Sequence, residues 1–499
     1  LRLIEEDEQI TKLVTENNII SSSEIEEELA SIKNILNETP DTVIADYIYG
    51  AVNGVYHEVV KKIKNVKPVG DIIDSFAMNQ ILGVPIFFCI MLIVFMVTIE
   101  VGNIFVDWFN NLAGFIFVDG LSHILQSISA PEIITFFAAE GIGAGIQMVI
   151  SFIPFVFFMF LMLSLLEDSG YMARAAFVMD NFMGKLGLPG KAFVPMIVGF
   201  GCSVPAILAT RTLDNRRDRV LTVFMVPMMS CGARLPVYAL FATAFFPNKT
   251  GLIVFSLYMV GVLAAVISGL LMKSTIFHGE PSHLIMELPR YHVPRIKHIL
   301  LHTWARVKDF IKRAGVVIVV AVFILSIFSS LTIGGGFDPD NVSNSLLASL
   351  GKVITPVFEP MGIEQDNWPA AVGLFTGIFA KESVVGTLNA IYSQIDHKAA
   401  SGGITILKSR FSKHAAYAYL LFILLYMPCI AAVSTSIKEI GPVFGILQAL
   451  YLTLIAWITA TLFFQIVEGH NPLFITIAIA LAAVIFTGFR IVSIRIKKS

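Results

Sequence analysis

The sequence predicts an all-α polytopic membrane protein, a helical bundle of about eight spans with two broken, re-entrant hairpins and a short helical N-terminal segment on the cytoplasmic side. Three observations lead there. The chain of 499 residues is 56% hydrophobic and 14% charged, whereas a soluble domain is about a quarter charged. Several apolar runs reach the roughly 20 residues that a helix needs to cross a bilayer. Two apolar stretches, 192–210 and 369–391, are interrupted by Gly or charge. Lipid tolerates irregular backbone only where protein or a wet cavity surrounds it.

Residues 1–78 are polar and acidic, with clusters at Glu5–Glu8 and Glu24–Glu28 and an amphipathic helical pattern over Asp41–Lys64. They read as a solvated helical segment with no cleavable signal peptide. A first span (84–106) and an amphipathic interfacial stretch (109–130) fill 79–141. The region 142–273 holds spans at 142–166, 220–247 and 252–272, with the first hairpin between them. A basic loop and amphipathic helix occupy 274–313, and 338–362 is a second interfacial stretch. The region 314–468 repeats the earlier order, with spans at 314–331, 414–436 and 443–466 and the second hairpin. The last span (473–491) and a basic tail make up 469–499.

The Lys and Arg residues at the ends of spans place both termini in the cytoplasm. The loop with Lys398, Lys408, Arg410 and Lys413 opposes that assignment. On this topology 142–273 and 314–468 start on opposite sides of the membrane and form inverted repeats. Interrupted segments at matching places in such repeats mark a transporter's binding site.

The breaks carry the chemistry. Cys202 lies in Gly199-Phe-Gly-Cys-Ser-Val-Pro205, Cys231 in Met229-Ser-Cys-Gly-Ala-Arg-Leu-Pro236 and Cys429 in Met427-Pro-Cys429. Half-helix ends there offer free amides and carbonyls, and thiolates are soft metal ligands. Cys89, in an unbroken apolar run, reads as packing. Glu382 sits in the second break, where a carboxylate costs about 2.5–3.5 kcal/mol on insertion scales and calls for a cation, a partner or water. Ser383, Thr376 and Thr387 are weaker candidates, and Met225, Met228 and Met229 read as packing. The metal candidates are thus Cys202, Cys231, Cys429, Glu382 and Ser383.

The four cysteines all lie in apolar runs, against a disulfide framework. No HExxH zinc motif occurs, and no basic surface interleaved with aromatics points to nucleic acid. A phosphate-binding loop is absent too: Gly190-Lys191 is followed by Ala192, and Lys185 stands where the first Gly would be. An enzymatic role for these residues is therefore not expected. Two alternatives compete with metal transport. A carrier of a small organic solute such as a nucleoside would want amides and carboxylates in the breaks rather than thiols. A membrane metalloenzyme would want an open site with a general base.

The motif Gly199-Phe-Gly-Cys-Ser-Val-Pro-Ala-Ile-Leu-Ala-Thr-Arg211 and the run Ser230-Cys-Gly-Ala-Arg-Leu-Pro-Val-Tyr238 resemble the first gate repeat of the ferrous-iron transport protein B (FeoB) family. Phe379-Ala-Lys-Glu-Ser383 and Tyr426-Met-Pro-Cys429 resemble its second. Asn79-Gln-Ile-Leu-Gly-Val-Pro85 fits the entry to its first span. The similarity covers roughly 40–499. It implies Fe2+ uptake across a bacterial or archaeal inner membrane, with FeoA and FeoC as small cytoplasmic partner proteins. A homo-oligomer is compatible with the sequence. The resemblance also implies that the family's GTP-binding domain would precede the helical segment and is not among these residues. Fe2+ lies low in the affinity order of divalent metals, so selection against Mn2+ or Zn2+ calls for a mixed Cys and carboxylate site.

Overall fold

The computed structural model describes residues 40–59, 69–79, 82–213, 215–275, 291–292, 294–332, 336–337, 345–395 and 403–498. The acidic clusters before residue 40, much of the basic loop (276–290), residues 338–344 and Lys398 lie outside them. The chain divides into two compact units, 1–75 with 282–289, and 76–281 with 290–499. In the first unit, α1 (Pro40–Val59) exposes Tyr47, Val52, Val55 and Val59. Its C-terminal part as predicted, 60–64, lies outside the described residues. A second helix, α2 (Val69–Ala77), follows.

Among its described residues the larger unit is built of helices, apart from isolated β-bridges at Leu331–Phe337 and Thr332–Ser345. α3 (Gly83–Ala113) runs through a π turn, Gly114–Gly120, into α4 (Leu121–Ser127). The chain returns through α5 (Glu132–Phe136), a second π turn at Phe137–Gly143, and α6 (Ala144–Asp168). Residues 109–127, expected to form a separate interfacial stretch, continue the helix of the first span without a break. The continuous helix Pro85–Ser127 has 43 residues and is about 65 Å long at 1.5 Å per residue, twice the roughly 30 Å hydrocarbon thickness. Its partner Glu132–Asp168 has 37 residues. The π turns of the two helices face one another, and Gly114, Gly120, Gly141 and Gly143 lie within them. Each π turn absorbs extra residues without ending its helix, which the sequence pattern alone disguised as an interruption.

α7 (Tyr171–Leu186) lies between Gly170 (φ 82°) and Gly187 (φ 78°), two left-handed residues that stop and restart the helix. It is an amphipathic element that the sequence reading passed over. The first broken segment is α8 (Phe193–Gly201) and α9 (Ser203–Ala209), which pack against each other. α10 (Arg216–Met225) and α11 (Leu235–Phe245) form a span interrupted at 226–234, and α12 (Thr250–Thr275) closes the first half.

The second half opens with α13 (Ile296–Phe310), a π turn at Ile311–Gly315 and α14 (Val316–Ser330). α15 (Leu346–Phe358) buries Leu347, Gly351, Thr355 and Phe358 while Val353 and Val357 stay exposed, as an amphipathic stretch should. The second broken segment is α16 (Trp368–Phe379) and α17 (Ser383–Ile395). After α18 (Gly403–Arg410), the interrupted pair α19 (Lys413–Leu425) and α20 (Ile430–Ile440) leads to α21 (Pro442–Phe464) and α22 (Pro472–Lys498). Both halves thus run broken pair, interrupted span, long helix.

Six helices are long and apolar enough to cross a membrane among the described residues. The expected spans at 314–331 and 473–491 correspond to shorter apolar helices, Val316–Ser330 and Pro472–Gly488. The first joins the basic, amphipathic α13 through its π turn, so only its second half is apolar. The interrupted spans form the core. In the apolar windows of Arg216–Phe245 and Lys413–Ile440, 72% and 67% of residues are buried, against 17% for Thr250–Thr275. α12 exposes Leu252, Phe255, Met259, Leu263, Ile267 and Leu270, an apolar stripe suited to lipid rather than water.

Candidate metal pathway at the helix breaks

The breaks share one construction: a half-helix ends, one or a few residues are extended, and a second half-helix begins. Cys202 is extended (φ −155°, ψ 133°) between α8 and α9 and is the N-cap of α9. Cys231 (φ −79°, ψ 159°) caps the 3-10 turn Gly232–Arg234 that leads into α11. Cys429 (φ −56°, ψ 153°) is the N-cap of α20. Between α16 and α17 the chain is extended at Ala380, followed by Lys381 and Glu382. The three break cysteines therefore stand at starts of half-helices, where unpaired amides favour negative charge.

The other half-helix ends expose carbonyls, and two buried cations hold them. Arg234, 1% exposed, donates from Nη1 to Pro227 O and Met229 O and from Nη2 to Pro227 O, each at 3.2 Å. Lys381, 2% exposed, donates from Nζ to Met427 O at 2.8 Å. Its ammonium lies 3.0 Å from the centroid of the Tyr426 ring.

Close packing brings the breaks together. A Cβ on Gly199 would lie 3.2 Å from Val226 O and from Met229 Cβ, so α8 packs tightly against the α10–α11 break at this glycine. A Cβ on Gly261 would lie 2.6 Å from Met228 O, so α12 closes on the same break from the other side. α9 packs on α20, which joins the first broken pair to the second interrupted span. At the far ends of these two segments, Arg211 Nε donates to Glu439 Oε2 at 2.9 Å, and Nη2 of the same guanidinium donates to Oε1.

The result is a cavity of about 590 Å3 lined by Cys202, Cys231, Cys429, Glu382, Lys381 and Arg234. Four of the five residues singled out as metal candidates thus share one space. Ser383 is the first residue of α17 and is not among the lining residues. Cys89 is exposed on α3 and lies apart. The lining thiols and carboxylate do not converge, and among the described residues no group of three or more His, Cys, Asp or Glu forms a ready coordination sphere. Met225, Met228 and Met229 are buried in the core cluster, as packing residues. Thr376 donates to Gly373 O at 3.1 Å and pairs with Thr387, so these hydroxyls are satisfied within their own segment.

The sequence reading missed Arg234, although a charge between Gly232 and Pro236 in an apolar run is a signal in its own right. Lys381, adjacent to Glu382 in the second broken pair, is buried as well, and its ammonium is held by a carbonyl of the α19–α20 break. The sequence reading also missed Asn110 and Gln147, which line the cavity from α3 and α6. Gln147 Nε2 donates to Asn110 O at 3.2 Å and to Asn110 Oδ1 at 3.1 Å. Both lie within continuous helices rather than at breaks, so no interruption marked them.

Three family models match the chain. The FeoB cytosolic helical domain covers 1–61, the Gate (nucleoside recognition) model covers 149–245 and 311–443, and the ferrous iron transport protein B C terminus covers 254–306. Among curated proteins, the Fe(2+) transporter FeoB of Salmonella typhimurium and that of Shigella flexneri are each 40% identical, and that of Escherichia coli K12 is 39% identical. Each alignment covers 93% of this chain and 66% of the relative, so the chain spans just under two thirds of their length. No solved structure is a significant match. The helical segment, the gate repeats and the C-terminal region all agree with the motifs at the breaks: the chain belongs to the ferrous iron transport protein B family.

Proposed function

We propose that this protein carries Fe2+ across a bacterial or archaeal cytoplasmic membrane, through a path lined by Cys202, Cys231, Cys429 and Glu382 between two inverted gate repeats. One observation carries the reading: three thiols and a carboxylate, from breaks up to 227 positions apart in the chain (429 − 202), line a single cavity within the membrane-spanning bundle. Soft thiolates and a hard carboxylate together suit a borderline divalent ion better than either alone. The dispersed placement suits an ion that must leave as well as enter, because a closed four-ligand cage is the geometry of permanent structural sites. The relatives' name, Fe(2+) transporter, supports iron as the cargo.

In this reading both termini face the cytoplasm, Arg211 and Glu439 lie near the inner surface, and Asn110 and Gln147 lie toward the outer mouth. FeoA- and FeoC-type proteins are the proposed cytoplasmic partners. Ser383, at the start of α17, becomes a ligand only if that half-helix shifts toward the cavity.

The test is uptake into proteoliposomes with Fe2+, Mn2+, Zn2+ and a nucleoside compared in parallel. Uptake of Fe2+ above the other solutes is expected. A second reading, an organic-solute carrier, is favoured by the cavity volume, which lies in the range of small-molecule pockets, and by the description of the Gate model. Nucleoside uptake without metal uptake would establish that reading instead.

A further inference from the structure

The cations at the breaks answer a question that thiols and Glu382 do not: what neutralises the carbonyl ends of the interrupted spans. In transporters with broken helices, unwound carbonyls and half-helix C-termini are places where a free alkali ion binds. Here Met229 and Met427 occupy the same position in their repeats, each two residues before a break cysteine, in Met229-Ser-Cys231 and Met427-Pro-Cys429. Both carbonyls accept from a buried cationic side chain, Met229 O from Arg234 and Met427 O from Lys381.

The two cations arrive by different routes. Arg234 folds back within its own interrupted span, five residues from Met229. Lys381 reaches across from the neighbouring broken pair, 46 residues away in sequence. Different routes to equivalent carbonyls point to a requirement for positive charge there rather than for one local fold. Among the described residues, neither cation has a carboxylate within ion-pair distance. Carbonyls and, for Lys381, the face of Tyr426 take the place of a counter-ion. Tyr426 is itself fixed, its hydroxyl donating to Leu374 O at 3.3 Å on α16. An ammonium is a compact monovalent point charge, the closest side-chain equivalent of an alkali ion.

We propose that Lys381 is a tethered cation standing in a would-be alkali-ion site formed by Met427 O and the Tyr426 ring, so that the bundle needs no free monovalent ion to hold the second broken pair against α19. Lys381 is thus a positioning residue, and the inference is independent of which solute the cavity carries.

Removing the side chain while keeping the site should create a binding site for a small free cation. The experiment follows the melting midpoint of purified, metal-free protein in choline buffer while K+, methylammonium or ethylammonium is added. Wild type is expected to show no response. Lys381→Ala is expected to melt lower and to recover as one of these ions fills the site. An ion at about ten times its dissociation constant should shift the folded-to-unfolded ratio about tenfold. Lys381→Arg and Lys381→Gln separate charge from hydrogen bonding, and they decide the matter alone if the Ala variant cannot be purified. Arg is expected to keep a midpoint clearly above that of Gln. Equal midpoints for Arg and Gln, or an Ala variant that no small cation stabilises, would overturn the proposal.

Discussion

At the scale of single residues, the cavity separates cysteines that composition cannot tell apart. Cys89 is exposed on a long unbroken helix, and Cys89→Ser should leave uptake of Fe2+ within experimental error of wild type. Cys202→Ser and Cys231→Ser each remove a thiol from the cavity. Each should reduce uptake by at least the about 10–100-fold that even outer-shell changes cost a metal site, at normal expression. Equal activity in these variants and in wild type would remove the thiols from the path. Glu382→Gln keeps shape and hydrogen bonding but deletes the charge. Fe2+ uptake should collapse while the protein remains folded, and near-normal uptake would show that Glu382 only marks the end of a broken pair.

At the scale of elements, two contacts hold the breaks in place, and each can be perturbed without touching the cavity. The ion pair between Arg211 and Glu439 ties the turn after α9 to the end of α20. Glu439 is 6% exposed and Arg211 is 51% exposed, so solvent screens the pair from one side. Its loss should cost no more than about 1 kcal/mol. Glu439→Arg should lower the melting midpoint, and the exchange Arg211→Glu with Glu439→Arg should restore most of it. No recovery in the double variant would mean that the pair is incidental. Gly261 is the tighter constraint. A Cβ there would press on Met228 O at 2.6 Å, and a carbonyl inside a packed break cannot swing away as a flexible side chain can. Gly261→Val should destabilise the protein by about 1–3 kcal/mol, the usual range for overpacking. Gly251, whose Cβ would meet nothing within 4 Å, is the matched control on the same helix.

At the scale of the whole molecule, the interrupted spans occupy the centre and the continuous helices the rim. That arrangement follows from solvation. Broken backbone has amides and carbonyls to satisfy, so it is enclosed by protein, while continuous helices satisfy their own backbone and can face lipid. The proposed orientation has a direct test. Cysteines introduced at Gly70 and Lys497 should react with an impermeant label only after the cells are opened, since both termini are assigned to the cytoplasm. Labelling of either in intact cells would reverse the topology.

The sequence by itself determined the all-helical membrane class, the position of each break and the identity of the family. These are local signals: Gly and Pro next to Cys within an apolar run are legible wherever they occur. It also separated Cys89 from the other three cysteines, because an unbroken run differs visibly from an interrupted one. It could not distinguish a π turn from the end of a helix, so the continuous helix Pro85–Ser127 looked like a span followed by an interfacial segment. Nor could it tell where Lys381 points, because the partner of its ammonium is 46 residues away. Only the tertiary structure decided that four breaks share one cavity, that Arg234 and Lys381 hold equivalent carbonyls, and that Arg211 meets Glu439 across 228 positions of sequence. The physical reason is that propensity and periodicity act within a few residues of the chain, whereas an unpaired amide, carbonyl or buried charge is satisfied by whatever packing brings near it.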